Sequence, residues 1–183
     1  CKTRRFCKYY IKSFWKSHYS NGGITMIRIV TCGHIKEKWL KDGIQEYFKR
    51  ITAYDKIEII EVDDEKTPDE APDAIVYKIK QTEGAKILKK IKDDEYVILL
   101  DLKGETLDSV GLAKKMENLN TNGKSKITFV IGGSLGVSDE LIARANFRWK
   151  LSDNTFPHQL CRLILIEQIY RSFRIRRNEP YHK

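Results

Sequence analysis

The chain has 183 residues, enough for one domain with a proper core. With 32% charged and 41% hydrophobic residues, and no run near the ~20 apolar residues of a membrane-spanning helix, it reads as a globular chain with no membrane partner. The net charge of +9 favours a polyanionic partner but is unevenly placed: residues 1–25 carry six Lys and Arg and no acid, leaving +3 on the rest.

Residues 1–25 read as an addition to a domain whose working start is Met26. At helical spacing Phe6, Tyr10 and Phe14 fall on one side and Arg4, Lys8, Lys12 and Lys16 on the other. This is either a basic amphipathic helix able to touch RNA or an anionic surface, or an upstream segment with no role. No apolar region interrupts the charges, so a signal peptide is not indicated. Cys1, Cys7, Cys32 and Cys161 show no C-x-x-C spacing. A reduced, cytoplasmic protein with no metal site is the simplest reading.

From Met26 the pattern alternates. Met26–Cys32 predicts a strand closed by Gly33, and Lys38–Ile51 an amphipathic helix with Trp39, Leu40, Ile44, Tyr47, Phe48 and Ile51 in phase. Lys56–Val62 predicts a second strand, Asp63–Asp73 a solvated acidic loop, and Ala74–Ile91 a helix. Tyr96–Asp101 predicts a buried third strand ending in a polar, glycine-closed rim through Gly104. Ser109–Leu119 predicts a helix, and Asn122-Gly123 turns the chain.

The stretch Ile127–Gly136 is the most informative. Phe129, Val130 and Ile131 predict a buried strand that stops at Gly132-Gly133, with Gly136 following. Glycines at the carboxyl rim of a buried strand let backbone approach a ligand. The pattern is neither G-x-G-x-x-G nor G-x-x-x-x-G-K-[ST], so neither a dinucleotide fingerprint nor a P-loop is met. A nucleoside-like ligand without a phosphate cradle fits, as does a plain turn. Ser138 can cap a short helix Glu140–Ala145. Phe147–Ser152 predicts a fifth strand and Asp153–Phe156 a loop. Pro157 is placed in the first turn of a last helix that runs to Arg176. That helix is apolar nearly all round, which asks for burial on more than one side, a subunit interface being one source. Five strands alternating with helices predict an α/β fold with a mainly parallel sheet flanked by helices.

Five strings then line up: Ile-Arg-Ile-Val-Thr-Cys-Gly-His-Ile-Lys-Glu-Lys-Trp (27–39), Phe-Val-Ile-Gly-Gly (129–133), Thr-Phe-Pro-His-Gln (155–159), Leu-Ile-Glu-Gln-Ile-Tyr-Arg (165–171) and Pro-Tyr-His-Lys (180–183). Together they closely resemble the bacterial ribosomal RNA large subunit methyltransferase H family of the SPOUT superfamily, from Met26 to Lys183, with 1–25 outside the pattern. The resemblance implies a deep carboxyl-terminal trefoil knot, an exception to the un-knotted rule, and a homodimer. It implies methyl transfer from S-adenosylmethionine to N3 of a pseudouridine in the large-subunit RNA stem-loop facing the small subunit. The substrate it implies is the assembled ribosome.

By the family motif, the cofactor meets Leu100, the glycines Gly132 and Gly133, and the loop Ser152, Asp153, Asn154, Thr155, Phe156 and Pro157. Leu100, Leu151 and Phe156 offer apolar surface, and ordinary core packing is the alternative for Leu100 and Phe156. The reaction needs no metal; it needs alignment and removal of the N3 proton. His158 and His182 are the residues of suitable acidity. The family tail places Tyr181 and His182 on the acceptor side, completing the partner subunit's site, with His158 and Arg162 behind them. Arg171, Arg174, Arg176, Arg177 and Lys183 form a basic terminal cluster for RNA phosphates, together with Arg162 and with Lys36 and Lys38 alongside. A ribosome-binding protein without catalysis and a nucleotide-linked α/β enzyme of another kind are the competing readings.

Overall fold

The computed structural model describes residues 26–68 and 70–182. The predicted amphipathic segment within 1–25, and Lys183, lie outside the described residues. The elements follow one another as β1 (Met26–Cys32), α1 (Lys38–Ile51), β2 (Lys56–Val62), α2 (Asp73–Leu88), β3 (Tyr96–Thr106), α3 (Ser109–Thr121), β4 (Lys126–Ile131), α4 (Asp139–Arg144), β5 (Phe147–Lys150) and α5 (His158–Arg176). The five strands form one sheet in the order β2-β1-β4-β3-β5, parallel at every pairing.

Alternation along the strands builds a core on each face. Ile27, Ile29, Ile127 and Phe129 join Leu40, Ile44, Leu112, Met116, Leu165 and Ile169 on the side of α1, α3 and α5. Val30, Cys32, Val97, Leu99 and Val130 join Ile87 and Leu141 on the side of α2 and α4. The apolar girth of α5 is largely met within the chain, because α1 and α3 flank it while it lies on the sheet. A Cβ at Gly43 of α1 would come 3.1 Å from Leu163, so the missing side chain lets the two helices close up. The girth of α5 therefore does not require a subunit interface.

Other boundaries differ for local reasons. The strand predicted to end at Asp101 continues to Thr106. β3 pairs with β5 through Ile98–Leu100, bulges, and pairs again through Glu105 and Thr106. Gly104 lies in the bulge, where a Cβ would fall 2.5 Å from the Arg148 carbonyl oxygen. α2 starts one residue earlier than predicted and stops at Leu88, where Lys90 and Ile91 turn back on Ile87 and Leu88. α3 runs two residues further, and β5 stops at Lys150 instead of Ser152. α4 begins at Asp139, with Ser138 Oγ accepting from the Leu141 N–H as the predicted cap. Pro157 is the cap of α5 and not part of its first turn.

Candidate functional site

The carboxyl ends of β3 and β4, the loop after β5 and the start of α5 enclose a cleft of about 490 Å³. Its shape starts from glycine. A Cβ at Gly132 would stand 2.6 Å from Val137 Cγ1, and one at Gly133 would stand 2.3 Å from Glu83 Oε2. Gly136, at φ +100°, returns its N–H to the Gly133 carbonyl at 3.1 Å, closing a tight loop against the end of β4. Opposite the glycines, Leu100, Leu151 and Phe156 give apolar surface.

Of the residues the sequence assigned to a cofactor, Leu100, Gly132, Gly133, Ser152, Asn154, Thr155, Phe156 and Pro157 all line this cleft. Asp153 does not. It is exposed and ion-paired with Lys150 at 2.6 Å, which holds its carboxyl below the usual range. The loop turns beneath it, where Ser152 Oγ accepts from the Asn154 N–H at 3.0 Å.

His158 also lines the cleft. Burial lowers its pKa, and the Arg162 guanidinium adds to the effect, so the imidazole is neutral near pH 7. A Cβ at Gly33 would lie 3.6 Å from His158 Nε2 and 3.5 Å from Asp64, so the end of β1 closes on this histidine.

Arg162, read as a phosphate contact, is turned inward and only 3% exposed. It donates to Glu61 at 2.7 Å and to the carbonyls of Cys32 and Gly33 at 2.5 and 2.7 Å, clamping the end of β1. Arg171, Arg174, Arg176 and Arg177 are likewise stitched to their own chain. Arg171 pairs with Glu167 at 2.6 Å and covers the Tyr181 ring. Arg174 pairs with Glu179 at 2.7 Å and donates to Tyr54 Oη at 3.0 Å. Arg176 lies over Phe173, and the exposed Arg177 over Tyr54.

Tyr181 and His182 are not brought to this cleft within the chain. Tyr181 packs edge-on against Tyr170 and donates to Glu167 at 3.0 Å. Burial and hydrogen bonds to Tyr47 and Glu167 raise its pKa, so it stays protonated. His182 is exposed. A second, open groove of about 730 Å³ lies between α1 and the β1–β2 edge, where His34 bridges Glu61 and Asp63 at 2.8 and 2.9 Å.

Sequence reasoning missed the charged lining. Lys80, Lys103 and Arg148 face the cleft, Arg148 being tied to Asp101 at 2.6 Å. It also missed Glu83, which stands behind Gly133. Lys80 and Glu83 lie one turn apart on a helix whose charges gave no reason to single out either. Only an alternation argument for Phe147–Lys150 could have turned Arg148 toward the rim.

A family model described as "Predicted SPOUT methyltransferase" matches residues 25–182. "Ribosomal RNA large subunit methyltransferase H" of Enterococcus faecalis is 52% identical over 157 residues, covering 86% of this chain and 99% of that one. "Ribosomal RNA large subunit methyltransferase H 1" of Clostridium perfringens is 54% identical over 157 residues with the same coverage. Among solved structures, a probable methyltransferase from Bordetella pertussis Tohama I superposes with a TM-score of 0.49 at 12% identity, over 82% of this chain and 96% of that one.

Proposed function

This chain belongs to the SPOUT methyltransferase family, and on that premise we propose that it methylates N3 of a pseudouridine in large-subunit ribosomal RNA, using S-adenosylmethionine and acting on the assembled ribosome. The observation that carries the reading is the glycine-floored cleft at the ends of β3 and β4. Its volume and its mixture of apolar wall and backbone suit a nucleoside-bearing ligand. The donor set fits. Gly132 and Gly133 leave space that a Cβ would fill, Leu100, Leu151 and Phe156 supply faces for an adenine, and Ser152, Asn154 and Thr155 supply polar groups for its edge and ribose.

When bound, S-adenosylmethionine supplies a methyl group already made electrophilic by its sulfonium. The protein's part is to align donor and acceptor, worth roughly 7–11 kcal/mol in favourable cases, and to take the N3 proton. Neutral His158 is poised to accept a proton from within the cleft. Tyr181 and His182 do not line their own chain's cleft, which supports a homodimer in which each tail serves the other subunit. In that reading Tyr181 positions the acceptor as a donor, and His182 is the second proton acceptor. Arg176 and Arg177, with Arg171, Arg174 and Lys183, give the tail its attraction for phosphate. The superfamily's trefoil knot, threading the last segment, is part of the proposal, as is a cytoplasmic place of work. No helix among the described residues is long and apolar enough to cross a membrane.

The test is transfer of labelled methyl to bacterial ribosomes lacking the modification, beside free large-subunit RNA and ribosomes without pseudouridine. Label at N3 of a pseudouridine in assembled ribosomes alone is the expected result, with His182→Ala slowed about 100-fold or more. Binding of S-adenosylmethionine without transfer would mean a wrong acceptor. Neither binding nor transfer would leave a ribosome-binding module.

A further inference from the structure

Glu83 of α2 is 4% exposed and faces the carboxyl ends of β1 and β4. Its Oε1 accepts from the Glu65 N–H at 2.9 Å. Its Oε2 is buried with no hydrogen-bond partner among the described residues, and it lies against Gly133, the residue that forms the cleft floor on the other side. Only a glycine separates this oxygen from the cleft, since a Cβ there would come within 2.3 Å of it.

No cation compensates it among the described residues. Lys86, one turn further on, is held by Glu65 at 2.5 Å and by the Asp63 carbonyl. The Cys32 thiol beside it is pushed up to about 12 by burial first and then by the charge of Glu83 and a side-chain hydrogen bond to it, so it stays neutral and brings no balancing charge. His158 is neutral as well. Asp64, next along the rim by Gly33, is a second acid there, and its charge acts on Arg162 and His158. A buried carboxylate oxygen left unpaired is costly, and its retention against a ligand cleft asks for a partner that arrives with the ligand.

We propose that Glu83 is the charge selector of the cofactor cleft: acting through Gly133, it favours the cationic sulfonium donor and disfavours the neutral thioether left after transfer. This rests on the use of S-adenosylmethionine proposed above. In the transfer the carbon–sulfur bond breaks with its electron pair staying on sulfur, the methyl goes to N3, and the N3 proton goes to the protein base. The donor's positive charge is thereby lost. A fixed carboxylate that stabilises this charge binds substrate more tightly than product, so fresh donor outcompetes spent product for the cleft. Glu83 is a positioning residue and touches no reacting atom.

Donor and product share the adenosine, the ammonium and the carboxylate, and differ in the sulfur's methyl and charge. Calorimetric titration of the full chain with S-adenosylmethionine and with S-adenosylhomocysteine therefore isolates the charge. Glu83→Gln keeps the shape and the acceptor for the Glu65 N–H. It is expected to weaken donor binding about tenfold, which is about 1.4 kcal/mol, while product affinity changes less than about twofold. Glu83→Asp is expected to restore the donor preference. An equal loss for both ligands would make Glu83 a structural brace and overturn the proposal, as would an unchanged ratio. Wild-type chain that binds neither ligand would remove the cofactor reading itself, and this proposal with it.

Discussion

Two buried glutamates on the same face of the sheet, both 4% exposed, are treated in opposite ways. At the amino ends of the strands, Glu95 accepts from Arg28 with one oxygen and from Thr128 Oγ1 with the other at 2.7 Å. Arg28 is also held by Glu58 at 3.0 Å and the Lys90 carbonyl at 2.9 Å. The network is closed. At the carboxyl ends, Glu83 has one oxygen partnered and one bare. The first arrangement locks β1, β4 and the start of β3 together. The second leaves one carboxylate oxygen without a hydrogen-bond partner behind the glycine floor of the cleft. One sheet thus has an end whose buried charges are closed among themselves and an end where one is left open, the division the proposed cofactor cleft asks for when function is placed on a rigid scaffold.

The contrast can be broken most directly at Arg28. Arg28→Met strands Glu95 as an uncompensated buried charge and is expected to cost about 3–5 kcal/mol in urea unfolding. Glu83→Gln is expected to shift the same curve by under about 1 kcal/mol, because a bare oxygen has little pairing to lose. Equal losses would erase the distinction between the ends. A smaller effect sharpens the contact between Glu83 and the floor. Gly133→Ala drives a methyl into Oε2 and is expected to cost about 1–3 kcal/mol. Adding Glu83→Ala should return at least half of that, and additive losses would mean that the two do not meet.

The smallest effect is in pH. His158 has a folded pKa below its unfolded ~6.5, so the unfolded chain binds more protons in that interval. Its contribution is present above about pH 6.5 and is lost as pH falls through the lowered value. His34 has the opposite sign, because hydrogen bonds to Asp63 and Glu61 raise its pKa. Its contribution is full below about pH 6.5 and is lost as pH rises through the raised value. Stability curves of His158→Asn and His34→Asn should therefore diverge from wild type on opposite sides of pH 6.5. Matching slopes would show that the rim does not set these protonation states.

Short β-branched runs and one helical period were enough for the three elements from Met26 to Val62, whose bounds match the expectation. Such patterns failed at Lys103–Thr106, where a polar run rejoins the sheet only because β5 lies alongside. The positions assigned to the cofactor came from family strings, and most share one cleft because those strings end strands or begin α5. Charge was the least legible property. Arg162 and Arg174 look alike in a basic helix, yet one closes over the end of β1 and the other meets the tail at Glu179. Asp153 reads as part of a binding loop, but its turn is held by Ser152 and its carboxylate by Lys150. The bare oxygen of Glu83 depends on Gly133, fifty residues away, which no local pattern carries.

The strand order has a consequence for synthesis. β1 lies between β2 and β4, and Met26 is in register with Lys126, a hundred residues later. At about 5–20 residues per second, one edge of β1 waits about 5–20 s for its neighbour to be made. During that interval β1 has only β2 to pair with, and its other edge has no β4 beside it. An interior strand of the finished sheet is thus an open edge for much of the chain's elongation. Its folding is paced by translation as well as by the long-range pairing that slows parallel sheets.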